Sequence, residues 1–431
     1  MAPRLRRRSL RHRDRFPRPA LGAACAALVA MAAWPLVVSP ALVKYPTDLD
    51  VTQSLAGTFT VLVDPVTAAP LEEPWELDLT VERRLEALPD QSGADTVVVR
   101  ETVRQRAGDL VDVTQVNQYV MDRRTVRNVA DERAYAFDPA TPVDRAGAYR
   151  LHLPFGTSRD RTYEIYGNEI GTTYTVRPDP EQPTGELEGL DVLWFVAEED
   201  EVPVADAYLA LLREAVPLPE TITLAQVRPH LADAGVDLDA LLADLAAVLT
   251  PEDTELLLAL AGEPIALEYV MSFEGRLAVE PVTGTEVHLL ADETVAVRPQ
   301  LTSLPEFLMV LGHYPDEPAA VEAVEVLSQL VDGPAIPLFE YDYEQTPASL
   351  AAIADDAASM RRLVLAVTVW APAAFGVLAI LALTAGQIVW VRRRPRHLDL
   401  STLWDTPAPA HPHEPAADTP PIEDVPRRRR P

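Results

Sequence analysis

Two long apolar runs stand near the ends of this 431-residue chain. The first, Ala20–Val43, and the second, Leu363–Val391, contain no Asp, Glu, Lys or Arg. A helix of ~20 residues crosses the ~30 Å hydrocarbon core of a bilayer, and each run is long enough to do so. The pattern therefore predicts two transmembrane helices with one large segment, residues 44–360, between them.

Most of the segment between the two runs alternates apolar with polar residues, as in Leu77–Val81. Alternation with abundant Val and Thr is typical of half-buried strands, and Pro and Gly fall in the gaps. The strands predicted on this basis are Val51–Asp64, Glu76–Leu85, Asp95–Arg106, Leu110–Met121, Arg123–Ala130, Tyr149–Leu153, Thr162–Tyr166, Thr172–Val176, Val192–Val196, Ile265–Phe273, Leu277–Glu280, Glu286–Leu290 and Thr294–Arg298. A turn over Pro281–Gly284 joins two of them.

The pattern changes to helical spacing over about 205–262, where Leu and Ala recur every three or four residues. Thr250 followed by Pro251 is typical of a helix N-terminus. We predict an insertion of three or four short helices here. Its apolar stripes either form core that covers a sheet edge or gather around a ligand, and core is the commoner use of such stripes. Further helices are predicted over Ala319–Leu330 and Leu350–Met360, the latter running into the second span.

Charge predicts the orientation of the two spans. Eight Arg residues precede the first run, and the second is followed by Arg392, Arg393, Arg394 and Arg396. The interval between the runs holds nearly nine-tenths of the 66 acidic residues but only about half of the 37 basic ones. Because basic flanks stay in the cytoplasm, we expect a two-span plasma-membrane protein with both termini cytoplasmic and residues 44–360 extracytoplasmic.

A cleaved signal peptide is the alternative interpretation of the first run, since a basic start precedes an apolar stretch. The run continues well beyond the ~7–15 residues of a signal-peptide core, which favours a retained helix over residues 20–43. Residues 1–19 are then a basic cytoplasmic N-terminus. At the other end, residues 392–431 are rich in Pro and Arg and poor in apolar residues, so they predict a disordered cytoplasmic tail.

No motif along the chain indicates a reaction. Four histidines of the central segment, His152, His230, His288 and His313, are widely spaced and form no His-Glu-x-x-His pair. The carboxylate run Glu198–Glu201 lacks the ligand spacing of a calcium loop. No nucleophile elbow, phosphate-binding glycine loop or dinucleotide fingerprint is present. We therefore predict a non-catalytic protein with no catalytic, cofactor-binding or metal-binding residue and no cofactor.

Two further features limit the partners. The only cysteine, Cys25, lies inside the first run, so the central segment has no disulfides. Its acidity would repel nucleic acid phosphates, which excludes a nucleic acid partner. The expected partners are the lipid bilayer and either an envelope lipid or a membrane protein.

Several short segments resemble a known family. The chain is similar to the actinobacterial porin-PorA-like family, long described as a domain of unknown function, at Leu42–Asp50, Tyr135–Pro139, Tyr163–Tyr166 and Val279–Gly284. The likeness spans nearly the whole chain and implies two-span membrane proteins, but it carries over no catalytic residues. The layout of two terminal spans is also similar to that of class B scavenger receptors, whose sheet-rich domains bind lipids, although this likeness is one of topology only.

These observations predict a membrane-anchored α+β protein. Its large β-rich extracytoplasmic domain carries a helical insertion and is flanked by N- and C-terminal transmembrane helices. Three functions remain open at this point. The domain binds or transfers a lipid or other apolar envelope molecule, or it is a porin-like pore or channel component, or it is an uncharacterised envelope enzyme.

Overall fold

The structure is a computed structural model of the whole chain, and it describes residues 16–64, 69–137, 141–216, 218–233 and 235–393. Most of the predicted N-terminus, residues 1–19, and nearly all of the predicted tail, residues 392–431, lie outside the described residues. Contacts divide the chain into two compact units. One comprises residues 1–28 and 376–431, and the other residues 29–375.

Both apolar runs are helical. The first helix extends over Arg18–Leu42, and it comprises α1 (Arg18–Ala33), a π-helical turn (Trp34–Val38) and α2 (Ser39–Leu42). The last comprises α9 (Pro347–Leu365), a π-helical turn (Ala366–Trp370) and α10 (Ala371–Arg393). Both are long and apolar enough to cross a membrane. The two predicted apolar helices are therefore present near the two ends of the chain.

The two helices approach each other closely within each unit. In the smaller unit Gly386 lies against Phe16 and Ala20, where an added Cβ would come within 2.6 Å of the Phe16 ring. In the larger unit the Trp34 indole Nε1 donates a hydrogen bond of 2.7 Å to the Val367 carbonyl oxygen. Trp34 and Val367 both belong to π-helical turns. Such turns interrupt the regular i to i−4 hydrogen bonding of a helix, so a carbonyl oxygen like that of Val367 can accept from a side chain.

The larger unit is built on one curled antiparallel sheet. Its strands lie in the order β4-β3-β2-β1-β12-β11-β10-β8-β6-β5, with β7 paired to β8 and β9 to β10. The strands are β1 (Asp50–Val63), β2 (Pro70–Ala87), β3 (Thr96–Ala107), β4 (Val111–Asp122), β5 (Tyr163–Gly167), β6 (Thr172–Pro178), β7 (Thr184–Leu187), β8 (Leu190–Pro203), β9 (Thr221–Ile222), β10 (Ile265–Val279), β11 (Glu286–Gln300) and β12 (Ile336–Gln345). A 3-10 turn, Pro89–Gln91, follows β2.

Two glycines are required by this sheet. Gly57 of β1 lies opposite Tyr343 of β12, where a Cβ would come within 1.9 Å of the Asp342 carbonyl oxygen. Gly284 ends the predicted turn between β10 and β11 with a φ of +82°, and a Cβ there would meet the Leu153 carbonyl oxygen at 2.1 Å. A side chain at either position would displace backbone, so only glycine fits.

The loop between β4 and β5 bridges the two edges of the sheet. Val129 N donates to Val120 O of β4, and Asn128 N donates to Ala148 O. Tyr149 N then donates to Glu164 O of β5, which completes the ring. The curled sheet is therefore closed into a barrel at this end, and pairing leaves fewer free strand edges.

The opposite ends of the barrel carry different attachments. α2 leads into the start of β1, and α9 follows the end of β12, so both apolar helices join one end, the attachment end. The far end carries six helices: α3 (Asp206–Ala215), α4 (Leu224–Asp233), α5 (Leu238–Val248), α6 (Pro251–Ala261), α7 (Leu304–Leu311) and α8 (Pro318–Asp332). A strand of 15 residues such as β10 spans ~50 Å, at ~3.3 Å per residue. The helices α4 to α8, the helical block, therefore lie far from the attachment end.

The barrel interior contains two apolar layers. Near the attachment end, residues of β2, β3, β4 and β10 pack with the loop residues Tyr149, Leu151 and Leu153. Near the far end, β1, β11 and β12 pack with Tyr208 and Leu212 of α3, which enters the barrel. Burial of these layers stabilises the fold at roughly 25 cal/mol per Å² of apolar surface. The helical block has a separate apolar core.

Several predicted elements differ from the structure. Arg123–Ala130 and Tyr149–Leu153 are not strands but parts of the bridging loop, which forms isolated bridges. The pairs of short strands predicted over 265–280 and 286–298 are two long strands, β10 and β11, because charged residues at outward positions do not interrupt a ladder whose inner face stays buried. β8 extends through the carboxylate run to Pro203, and α7 has no counterpart among the predicted helices.

Candidate functional site

The helical block encloses an apolar cavity of about 150 Å³, the block cavity. Its walls come from α4, α5, α6, α7 and α8, with Ile265 at the start of β10. The lining is almost wholly aliphatic: Leu224, Leu231, Leu238, Leu241, Leu242, Leu245, Leu249, Leu257, Leu258, Leu260, Leu301, Phe307, Leu311, Val326, Leu327 and Leu330. Apolar cavities of this size stay dry and take up small apolar molecules.

Local sequence fixes the helices that form the cavity. Asp237 caps α5 by accepting a 3.0 Å hydrogen bond from Ala240 N, and Thr250 caps α6 by accepting one of 3.2 Å from Asp253 N. Caps of this kind satisfy the free amides of the first helical turn. The Tyr314 hydroxyl accepts a 3.0 Å hydrogen bond from Thr250 N and donates to Asp253, which ties α6 to the loop before α8.

The block cavity reaches the surface beside α6. Leu258 lines the cavity and is 61% exposed, whereas Leu257 beside it is buried. Met309 of α7 and Val321 of α8 are also strongly exposed. The polar lining residues are few: Thr254, Glu263, Gln300, Thr302 and Ser303.

The barrel holds a second cavity of about 150 Å³, the central chamber, between its two apolar layers. In contrast to the block cavity, its lining includes several charged and amide side chains from different strands: Gln53, Arg83, Glu101, Gln115, Arg150, Glu169, Glu286, Glu293, Tyr343 and Gln345. Burying charge in a protein is costly unless each group is paired. Most of these groups are paired with one another.

Glu101 is the most deeply buried of the chamber carboxylates. It accepts hydrogen bonds from Arg83 Nε at 2.7 Å, from Asn117 Nδ2 at 3.0 Å and from the Tyr119 hydroxyl at 2.6 Å. Burial raises the pKa of this carboxyl, but Arg83 and Arg150 together with these hydrogen bonds outweigh it and lower the pKa to about 2. Glu101 is therefore ionised in the folded protein.

Glu293 shows the opposite shift. Burial raises the pKa of its carboxyl to about 7, and the nearby Glu169 adds to the rise. The 2.6 Å hydrogen bond from the Tyr343 hydroxyl and the charge of Arg150 only partly offset this. Arg150 is paired instead with Glu169, at 3.3 Å. Folding therefore favours the protonated form of Glu293 up to about neutral pH.

The histidines singled out in the sequence do not meet. His152 is buried, with Nδ1 2.6 Å from Leu153 O and Nε2 3.2 Å from Thr285 Oγ1, and burial lowers its pKa to about 4. His288 bonds to Gln345 Oε1 at 2.9 Å. His230 lies in α4, and His313 follows α7. Within the described ranges, no group of three or more His, Cys, Asp or Glu side chains is arranged to hold a metal ion.

The carboxylate run Glu198–Glu201 has structural partners rather than a shared ligand. Glu201 accepts a hydrogen bond of 2.6 Å from Ala335 N and also pairs with Arg298. Asp200 accepts one of 3.0 Å from the Ser272 hydroxyl, and Glu198 pairs with Arg177 at 3.1 Å. The run therefore joins β8 to β6, to β10, to β11 and to the segment before β12.

Sequence reasoning missed the chamber residues. The signal was present in the alternation of the strands. In β2, Arg83 continues the series of inward-facing alternate residues that begins with Leu79 and Val81. In β3, Glu101 continues the series that begins with Val97 and Val99. A charged residue on the face of a strand that is otherwise apolar is a candidate for a buried polar group. Which charges would meet could not be read, since the partners lie on strands far apart in the sequence.

The chain combines two helices long and apolar enough to cross a membrane with a large curled sheet, so its structure is mixed α and β. The profile of the family described as Porin PorA matches residues 16–388, which covers most of the chain. The chain therefore belongs to the porin PorA family.

Comparison with curated proteins finds no match. Among solved structures, the tesB protein of Mycobacterium avium subsp. paratuberculosis has 14% sequence identity, with coverage of 78% of this chain and 91% of that chain. The TM-score is 0.09, so this likeness carries no argument about fold or function.

Proposed function

We propose that this protein is a two-span envelope protein whose helical block binds a lipid or another apolar molecule. The observation that carries the proposal is the block cavity, whose aliphatic lining opens to solvent at Leu258. A cavity that served only as core would be expected to close by repacking, because an unfilled space forfeits dispersion contacts. An apolar ligand would restore those contacts.

A charge at the mouth of the cavity tests this proposal. Leu258→Glu places a carboxylate at the opening, whereas Leu256→Glu places one on the same helix at a residue that does not line the cavity. Both residues are largely exposed, at 61% and 42%, so both variants should fold. Full-length protein purified from its native envelope should carry extractable lipid in the wild type and in Leu256→Glu, and much less in Leu258→Glu. Equal lipid in all three, or none in the wild type, would contradict the proposal.

We also propose the orientation that the arginines predict, with both termini cytoplasmic and residues 44–360 outside. Single cysteines at Gly93 and Glu263, in a Cys25→Ala background, report on the two ends of the barrel. A membrane-impermeant thiol reagent should label both in intact cells. Labelling only after lysis would show that residues 44–360 face the cytoplasm, which contradicts the proposed orientation.

A pore is the alternative that the family name suggests. Strands that cross a bilayer need an apolar outward face. Here the outward positions of β2 include the exposed charged residues Glu76, Asp78, Glu82 and Arg84. The apolar layers that fill the barrel interior also leave little room for a water-filled channel along it. Single-channel recording on the pure protein distinguishes the two functions, since lipid binding alone predicts no conductance.

A further inference from the structure

Three polar atoms that face the central chamber have no hydrogen-bond partner among the described residues. These are Gln345 Nε2, Arg150 Nε and Glu286 Oε1. The Gln345 side chain is the clearest case, because the residue is only 3% exposed. Its Oε1 accepts from Leu289 N and from His288, which fixes the amide and leaves its Nε2 donor unused. Buried donors and acceptors without partners are rare in folded proteins.

All three residues line the same chamber. Gln345 bonds to β11 at Leu289, three residues beyond Glu286. Glu286 Oε1 is 3.8 Å from Arg83 Nη1, beyond hydrogen-bond reach. The chamber is therefore lined by two residues with an unused donor and by one with an unused acceptor. A single small molecule with both kinds of group would satisfy all three.

The charges around these atoms restrict the class of molecule. An anion would face the carboxylates of Glu101, Glu169 and Glu286, and a cation would face the guanidinium groups of Arg83 and Arg150. An ion of either sign would also compete with the existing pairs, Arg83 with Glu101 and Arg150 with Glu169. An uncharged hydroxyl group both donates and accepts, so it fits the unused atoms without breaking a pair.

An adjoining cavity offers a way into the chamber. This cavity, of about 80 Å³, shares Gln53, Arg83 and Glu286 with the chamber. Its other walls include Tyr45, which follows the first apolar helix, and Met360 of α9. The path therefore begins at the attachment end of the barrel. The apolar layer near the far end separates the chamber from the block cavity.

We propose that the central chamber is a second binding site, separate from the block cavity, for a small uncharged molecule or head group rich in hydroxyls. Gln345 Nε2 and Arg150 Nε donate to its oxygens, and Glu286 Oε1 accepts from one of its hydroxyls. The proposal does not depend on lipid binding by the helical block.

Ligand-observed NMR on the full chain in nanodiscs, free of polyol detergents, tests the site with three matched probes. Glycerol is the uncharged probe, glycerate its anionic counterpart and serinol, 2-amino-1,3-propanediol, its cationic counterpart. Glycerol should bind saturably, and at least tenfold more tightly than either charged probe. Monooleoylglycerol placed in the nanodisc bilayer should compete with free glycerol if the natural ligand is a head group, and should not if it is a free polyol.

Filling the chamber shows whether the binding is located there. Gly275 of β10 lines the chamber, and a Cβ built on it lies 3.8 Å from Leu290 O, an ordinary contact. Gly275→Leu should weaken glycerol binding at least tenfold and Gly275→Ala by a smaller factor. Glu274→Leu, which adds the same side chain at the neighbouring exposed residue, should leave it unchanged.

Three results would overturn the proposal. Glycerol that binds the wild type without saturation would mean that the chamber holds water only. Unchanged affinity in Gly275→Ala, which keeps the fold even if Gly275→Leu does not, would place the binding elsewhere. Equal affinity for glycerate or serinol would show that the uncharged class is wrong.

Discussion

The helical block and the barrel enclose cavities of equal volume, about 150 Å³ each, with opposite linings. The block cavity is lined by Leu-rich helices that are mostly close together in sequence. The chamber is lined by charged and amide groups that come from several strands and loops, far apart in sequence, from Gln53 to Gln345. The difference follows from geometry, since a helix presents a continuous apolar stripe, whereas each strand adds one inward residue per layer.

The two linings imply different sensitivities to substitution. In the block cavity each side chain contributes buried apolar area, so the loss of unfolding free energy should scale with the side-chain volume removed. In the chamber each charge depends on a particular partner, so removing one group leaves another buried and unpaired. The following substitutions probe this contrast, from the largest expected effect to the smallest.

The largest loss is expected from Glu101→Gln. The substitution removes the buried carboxylate that pairs with Arg83, and breaking a buried pair costs about 3–5 kcal/mol. The thermal unfolding midpoint of the full chain should fall by several degrees at pH 7. Glu82→Gln, an exposed change on the neighbouring strand β2, should leave the midpoint where it is. An equal effect of the two changes would show that Glu101 is not a buried partner.

Leu241→Ala should destabilise the helical block alone. Leu241 is 5% exposed and lines the block cavity, and such Leu to Ala changes cost about 2–5 kcal/mol. Hydrogen exchange should accelerate at the amides of α4 to α6 while those of β1 to β4 keep their protection. Uniform acceleration across both regions would mean that block and barrel unfold together.

Glu293→Gln should change the pH dependence of stability. The pKa of Glu293 in the folded protein, about 7, lies above the ordinary value of 4.5. The stability that protonated Glu293 contributes is therefore fully present below pH 4.5 and is lost as the pH rises through 7. The variant should therefore be more stable than the wild type by about 3 kcal/mol at pH 8 and nearly equal to it at pH 4.5. A difference that grows toward acidic pH would contradict the assignment. Glu274→Gln, an exposed change, serves as the control.

The smallest effect is expected at the cap of α6. Thr250→Ala removes the acceptor for Asp253 N and should cost about 1 kcal/mol, measured as denaturant unfolding of the block. Thr250→Ser keeps the hydroxyl and should restore most of the loss. If Ser and Ala behave alike, the hydroxyl does not cap the helix.

The sequence predicts some strands closely and others poorly. Strict alternation placed β1, β3 and β4 within about one residue at each end, because each has one face buried against the interior. The bridging loop was wrongly predicted as strand at Arg123–Ala130, where Val126 has a positive φ and the backbone turns. Short apolar segments of this kind are resolved only by tertiary contacts.

The two candidate sites differ in the same way. The insertion predicted over about 205–262 from local spacing contains α4 to α6 of the helical block, but it also contains α3, which packs in the barrel. The contribution of α7 and α8 to the block cavity could not be predicted. The chamber could not be predicted, because Arg83 meets Glu286 only after the sheet has curled. Periodicity predicts which residues face inward, but it does not predict which strands become neighbours.

The central claim is that the helical block binds an apolar molecule, and photo-crosslinking tests it most directly. A lipid with a diazirine in its acyl chain is incorporated into native membranes that contain the full-length protein. The membranes are irradiated, and the lipid adducts on the protein are mapped by peptide mass spectrometry. The account predicts adducts on α5 and α6, around Leu241, Leu245 and Leu258, and their loss in Leu258→Glu but not in Leu256→Glu. Adducts confined to Arg18–Leu42 and Pro347–Arg392 would contradict it, since they would show that lipid contacts only the two long apolar helices.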